Sequence, residues 1–289
     1  MNSGLHSYNQ NQLRDYSSVF SRNAVKSMLQ GDCSALEYKV DRYDGRWKEK
    51  KNATYLQYIK HIYKIIESNY QNEYVYKNSF LNAWLLKEVG TTQSKIFSEF
   101  RVGNAIADLA MFNGISKAFE IKSELDSDKR LKLQIDNYKK VFNEVYLVVP
   151  ESKYAYYKSQ DKSIGIITYH KQKKDFELAR EAKPNYNICV NTIMHILHTS
   201  EYKALVKSYF GQLPEMTSFT MFDTCFTLLK KIPTKELNTL FIEQMKKRSI
   251  HNSFSQRYNK ELNQLCLALN LDRNNRDKLI QSLQKPINS

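Results

Sequence analysis

The chain of 289 residues is 42% hydrophobic and 12% aromatic, which excludes a largely disordered protein and leaves room for one sizeable core plus an appended domain. Its formal charge of +14, from 44 basic and 30 acidic residues, favours polyanionic partners, nucleic acid being the simplest, although a Lys-rich surface carries such an excess without any partner. Cys33, Cys189, Cys225 and Cys266 are widely separated with no CxxC pair, and neither an N-terminal apolar leader nor a run of about 18 apolar residues occurs. The expectation is a cytoplasmic protein with reduced thiols, no structural zinc, no secretion and no membrane span.

Residues 1–50 are polar and weakly periodic, consistent with an arm of short helices. From Ala53 to Tyr70, Tyr55, Leu56, Ile59, Ile62, Tyr63 and Ile66 follow helical spacing, and Ser79 to Val89 predicts a second helix capped by Gly90. Lys95 to Val102 and Ala105 to Phe112 read as strands, Asn113-Gly114 as a hairpin turn, and Ser116 to Lys122 as a third strand. A helix is expected over 128–143, with Asp126 or Ser127 as N-cap, followed by strands at Glu144 to Val149 and Ser163 to His170. This order, helix, three strands, helix, strand, is an α/β core of roughly 100 residues. After Lys171 the spacing predicts helices near 188–210, 218–231, 235–247 and 256–270. The reading is an N-terminal region at 1–66, a core at 67–170 and a separate basic helical region at 171–289, which leaves open a homodimer or a protein partner through the C-terminal helices.

Within the core, charged groups interrupt apolar strands, which is costly unless they are paired or bind a metal. Glu120 and Lys122 are two apart and share a strand face. Whether Asp108 joins them depends on the hairpin register. A two-residue Asn113-Gly114 loop pairs Asp108 with Phe119 and puts the carboxylates on opposite faces; a three-residue loop with Gly114 left-handed, or a bulge, pairs Asp108 with Glu120. Brought together, Asp108 and Glu120 suit Mg²⁺ or Mn²⁺ beside a phosphodiester, with Lys122 orienting water and offsetting charge. Gln134 and Tyr138 are four apart on the next helix, Gln134 being the polar exception on its largely apolar face.

The pattern Asp108, Glu120-Ile121-Lys122, Gln134-xxx-Tyr138 resembles the PD-(D/E)XK nuclease superfamily, in particular its branch with a Gln-xxx-Tyr motif after the catalytic strand, and uncharacterised bacterial and phage nuclease-like proteins. An E-x-K triplet alone is common; the earlier Asp, the turn and Gln-xxx-Tyr make the match specific. The resemblance covers roughly residues 67–170. It implies a restriction-endonuclease-like αβββαβ core, a divalent metal (Mg²⁺ or Mn²⁺), cleavage of DNA or less often RNA, and a setting in phage defence or mobile-element biology. It also implies an acidic residue on the helix before the first strand, for which Glu73 stands first, ahead of Glu67 and Glu88. Ala107 replaces the proline that names the motif, a position with no chemistry. The implied catalytic set is Asp108, Glu120, Lys122 and Gln134, with Asp108, Glu120 and Glu73 on the metal.

Lys129 and Arg130 precede the helix of Gln134, where cations and the helix dipole favour a phosphate backbone, and Tyr138 is grouped with them as a nucleic-acid contact. Lys171, Lys173 and Lys174, and Lys246-Lys247-Arg248, fit either phosphate contacts or solvated ends. His195 and His198 lack a third zinc ligand. Trp47, Trp84 and the aromatics Tyr202, Tyr209, Phe210, Phe219 and Phe222 are expected to pack in the core. Two functions remain open: a metal-dependent nuclease, and a catalytically inactive nucleic-acid-binding or partner-binding protein on the same fold.

Overall fold

The computed structural model describes residues 8–89, 94–251 and 259–287. The chain forms two compact units: Met1–Trp84 with Ser123–Leu125 and His251–Ser289, and Leu85–Lys122 with Asp126–Ile250. These cut the chain elsewhere than 1–66, 67–170 and 171–289, because chain segments far apart in sequence share each core.

The first unit is helical. The polar N-terminal region forms α1 (Gln10–Ser17), α2 (Arg22–Leu29) and α3 (Ser34–Tyr43), followed by α4 (Tyr55–Asn69) and α5 (Glu73–Phe80). Side chains start all of these but α3: Asn9, Ser21 and Asn72 accept from backbone N–H groups of the first turns, and Thr54 makes a reciprocal capping box with Gln57. The α4 stripe read from sequence is the centre of the core, where Tyr58, Ile59, Ile62 and Ile66 pack with Leu36 and Met28. The C-terminal helices α13 (Asn263–Ala268) and α14 (Arg273–Leu283) contribute Leu265, Cys266, Leu279 and Leu283 to that core. The chain end closes on α4: Ile287 N–H donates to Ala53 C=O at 2.9 Å, and Tyr55 N–H donates to Lys285 C=O. Helix α14 was outside the expected segments, and part of the segment expected at 256–270 lies outside the described residues. A π-helical turn (Leu81–Leu85) and α6 (Leu86–Val89) continue from α5; the Gly90 cap lies outside the described residues.

The second unit is a mixed α/β fold around a six-stranded open sheet in the order β1-β2-β3-β4-β5-β6. Its strands are β1 (Lys95–Val102), β2 (Ala105–Phe112), β3 (Ser116–Ile121), β4 (Glu144–Pro150), β5 (Gly165–His170) and β6 (Asp175–Arg180). The first three are antiparallel, β3, β4 and β5 are parallel, and β6 is antiparallel to β5. Helices α7 (Leu131–Tyr138) and α8 (Tyr154–Lys158) lie on the crossovers between the parallel strands. After Glu144, β4 is apolar to its end, as a doubly covered parallel strand is; Val145 to Val149 are all buried. Gly165 permits a close approach: a Cβ there would stand 2.3 Å from the Tyr146 ring.

Three sequence expectations are corrected. Helix α7 is shorter than 128–143 and its N-cap is Arg130, with no side-chain cap from Asp126 or Ser127; Asp128 instead accepts from the Tyr157 hydroxyl. Strand β6 was not expected, because it is an edge strand with only Phe176 fully buried and charges between. Finally, α9 (Val190–Ile196), α10 (Thr199–Phe210), α11 (Met221–Leu229) and α12 (Thr234–Lys247) do not form a separate subdomain but share one core with the sheet. Phe241 of α12 packs edge-on against Phe112 of β2 at 5.9 Å.

Candidate active site

The β2–β3 register decides which charges meet. Phe112 pairs with Ser116 and Leu109 with Phe119, so the loop is Asn113-Gly114-Ile115, three residues long, with Gly114 at φ 101°. Asn113 N–H donates to Ile115 C=O across it. This is the register that aligns Asp108 with Glu120. The backbone ladder stops at Leu109, and the Asp108 carboxylate takes over: its Oδ2 accepts from Ile121 N–H at 2.8 Å. On the other edge of β3, Lys122 N–H donates to Val148 C=O, so the strand's path is held to the position of the lysine.

Both strands of the β1–β2 pair break their alternation here. The core-facing residues of β2 are Ala105, Ala107, Ala110 and Phe112, and those of β1 are Phe97, Phe100 and Val102. Each series therefore contains one interval of three where the pleat demands two. The pairs Ser98–Leu109 and Phe100–Ala107 bracket Glu99 and Asp108, and Glu99 has φ 55°, a left-handed conformation rare for a side chain of this kind. Local irregularities of this type re-aim side chains. Glu99 was missed by the sequence reading; the one available signal is the spacing of Phe97 and Phe100 within an otherwise alternating strand.

Glu120 is buried, 3% exposed, and engaged on both oxygens. Oε1 accepts from Gln134 Nε2 at 2.7 Å and lies 2.9 Å from Lys122 Nζ; Oε2 accepts from the Tyr138 hydroxyl at 2.7 Å. Lys122 Nζ also donates to Gln134 Oε1 at 3.3 Å, closing a ring of three side chains. The single Tyr138 phenolic hydrogen stands between Glu120 and Ile106 C=O, 2.6 Å away. Burial, the negative charges of Glu120 and Asp108 and the bond to Glu120 push the Tyr138 hydroxyl far above its ordinary range, so it stays a donor.

The structure thus brings together Asp108, Glu120, Lys122, Gln134 and Tyr138. Tyr138 is fully buried, which corrects its assignment as a nucleic-acid contact: it holds Glu120. Lys129 and Arg130 are exposed immediately before α7. Glu73 belongs to the first unit, on α5, paired with Lys77 one turn on. Elsewhere, Arg248 is no solvated helix end: it forms a forked pair with Glu201, Nε to Oε1 at 2.7 Å and Nη2 to Oε2 at 2.6 Å. Trp47 and Tyr202 are buried, but Phe219 is 93% exposed and Tyr209 and Phe210 are also exposed, against the expectation of core packing. His195 packs on the Phe222 ring and His198 precedes α10. Among the described residues, no helix is long and apolar enough to cross a membrane.

Comparison with known proteins gives a family. Residues 66–272 match the family of bacteriophage P4 protein cII. The chain is 30% identical over 131 residues to Protein cII of Enterobacteria phage P4, an alignment covering 44% of this chain and spanning about half, 50%, of that protein. A solved structure, the SPO1766 protein of unknown function from Silicibacter pomeroyi, aligns with a TM-score of 0.29 at 14% identity, covering 44% of this chain and 86% of the other. With most of its length inside the matched region, this chain belongs to the bacteriophage P4 protein cII family.

Proposed function

We propose that the second unit is a restriction-endonuclease-like, metal-dependent nuclease domain that hydrolyses phosphodiester bonds, with DNA the favoured substrate. The observation that carries this reading is Glu120: a buried carboxylate held by Tyr138 and Gln134, beside the ammonium of Lys122 and across from Asp108. Burying these charges costs several kcal/mol that a purely structural strand would avoid, on the order of the penalties for buried ions.

Among the described residues no group of three or more His, Cys, Asp or Glu side chains that could hold a metal ion is gathered, so an ion here would rest on Asp108 and Glu120 alone. Two carboxylates are a donor set that Mg²⁺ or Mn²⁺ accepts, since these ions keep several waters. When bound, such an ion supplies charge neutralisation at the phosphate and a more acidic water. The chain's own residues do the rest. Tyr138 and Gln134 fix the Glu120 carboxylate, and the Ile121 N–H fixes Asp108. Lys122, whose Nζ lies 2.9 Å from Glu120 Oε1, would orient water and balance negative charge at the phosphate. Glu73 lies in the other unit and the proposal does not use it.

The ion pair between Lys122 and Glu120 also favours a second reading, in which the pair permanently neutralises itself and the domain is a catalytically inactive nucleic-acid-binding or partner-binding module. Purified protein incubated with plasmid, linear DNA and RNA in Mg²⁺, Mn²⁺ or EDTA separates them. The nuclease reading expects cleavage only with the metal, and Lys122→Ala should lower the rate by about 10²-fold or more while retaining binding. Wild type and variant equally inert, or equally active, would refute it.

A further inference from the structure

We infer that the β5–β6 turn, with Lys171, Lys173 and Lys174, is a second phosphate-binding edge that grips duplex DNA at a distance from the candidate active site, Lys129 and Arg130 gripping it at the near side. The inference rests on the proposed function for the location of the reacting phosphate, but not on cleavage taking place.

Sheet topology puts these groups at one end. Strands β3, β4 and β5 are parallel, so Lys122, Glu151 and His170 all emerge at their carboxyl ends, where open α/β sheets place their ligands. The β5–β6 turn leaves β5 at this same end. Lys129 and Arg130 follow β3 by the loop that leads into α7, and so occupy this end as well.

The spacing suits a polynucleotide. Ile121 pairs with Val148 and Val148 with Ile167, which sets Lys122 level with Thr168. From β3 to β5 is two strand spacings, about 10 Å, and from Thr168 to Lys171 is three residues, about 10 Å along the strand. The turn therefore begins roughly 14 Å from Lys122. Successive phosphates of a DNA strand both rise by about 3.4 Å along the axis and wind around it, so a separation of roughly 14 Å lies within the span of a few consecutive phosphates from the one at Lys122.

The local charges are arranged for it. Lys171, Lys173 and Lys174 are all exposed. Two carboxylates at the base of the turn face its histidine: His170 Nδ1 lies 2.8 Å from Glu151 Oε2, and His170 Nε2 lies 3.0 Å from Glu177 Oε2. Asp175 Oδ1 stands 3.9 Å from Lys87 Nζ. Three ammonium groups on a two-strand turn, braced by a histidine between two glutamates, form a short stiff cationic edge suited to phosphates, which are recognised by charge and carry no sequence information.

The test is binding of a labelled DNA duplex in EDTA, across a series of salt concentrations, by fluorescence anisotropy. The triple variant Lys171→Gln, Lys173→Gln, Lys174→Gln should bind at least about tenfold more weakly at low salt and reduce the slope of log K against log salt by about 2 to 3, since each lost phosphate contact removes about 0.9. The control variant Lys162→Gln, Lys183→Gln removes exposed charges from the opposite end of β5 and β6 and should leave the slope unchanged. No loss in the turn variant, an equal loss per charge in the control, or no binding by wild type would each overturn the inference. The two readings fail separately: binding through the turn without cleavage in Mg²⁺ sinks only the nuclease, and metal-dependent cleavage with unchanged binding by the turn variant sinks only the phosphate edge.

Discussion

Each unit of this protein buries a carboxylate under tyrosine hydroxyls, and the two differ in what else surrounds it. In the first unit Asp44, 6% exposed, accepts from Tyr16 at 2.6 Å and Tyr58 at 2.7 Å on a single oxygen. Burial, followed by the bond to Asp44, pushes both hydroxyls well above their usual range, so they remain donors. The three residues come from α1, α4 and the end of α3 and tie those helices together. In the second unit Glu120 has its tyrosine too, but also an amide, an ammonium and a second carboxylate on the adjacent strand. Two hydroxyls on one oxygen make Asp44 a clasp between helices. The amide, the ammonium and the second carboxylate around Glu120 are what the proposed nuclease reading rests on.

Substitutions can break this contrast. The largest effect on stability is expected for Glu120→Gln: it keeps an acceptor for Tyr138 but leaves the buried Lys122 ammonium without its counter-charge, a loss of about 3–5 kcal/mol in chemical denaturation, and it should also lower any metal-dependent cleavage by about 10²-fold. Asp44→Ala strands two buried hydroxyls; at roughly 1–3 kcal/mol for each unsatisfied donor, the loss is on the order of 3 kcal/mol. If Glu120→Gln destabilises the protein and yet spares metal-dependent activity, the two carboxylates are alike and the site is structural.

A smaller effect sharpens the role of the break in alternation beside Asp108. Glu99→Val forces a β-branched residue into left-handed backbone and should cost about 1–2 kcal/mol. Glu99→Gly should be close to neutral, because relief of strain offsets the extra freedom of the unfolded chain. Equal melting temperatures for the two variants would mean the left-handed turn is not required there.

The smallest effect concerns an ion pair away from both clasps. Burial acts against the charge on Asp161, but hydrogen bonds from Lys139 and Ser163 outweigh it and bring the carboxyl down to about 2. A lowered folded-state value stabilises above the unfolded value of about 3.9 and the contribution is lost as pH falls towards 2. The pair is partly solvated, so Asp161→Asn should cost under about 1 kcal/mol at neutral pH, and the difference from wild type should vanish in unfolding curves near pH 2.

The sequence reading reached furthest where the signal is local. Strands β1 and β2 occupy the residues expected of them, with the Asn-Gly turn after β2, and the α4 stripe lies in the core with Leu56 at its margin. It fell short where a long-range partner decides. Helix α14 is polar on most of its surface and is recognisable as core only once Leu279 and Leu283 meet α2 and α4. Strand β6 shows one inward residue and needs β5 to exist. Arg248 looked like the basic end of a helix because Glu201 lies 47 residues away.

By itself the sequence singled out Asp108, Glu120, Lys122, Gln134 and Tyr138 as polar residues at strand and helix spacing, since covalent geometry sets which side chains of one element share a face; it also enlisted Glu73, which belongs to the other unit, and read Tyr138 as a contact for nucleic acid where it is a buried donor to Glu120. It also posed the alternative that mattered, a two- or three-residue loop at Asn113-Gly114. Only the tertiary structure decided it. A single residue of register turns every side chain of a strand over; the left-handed Gly114 and the bond across the turn fit the three-residue loop locally, and the bond between Asp108 and Ile121 fits it from beyond the turn.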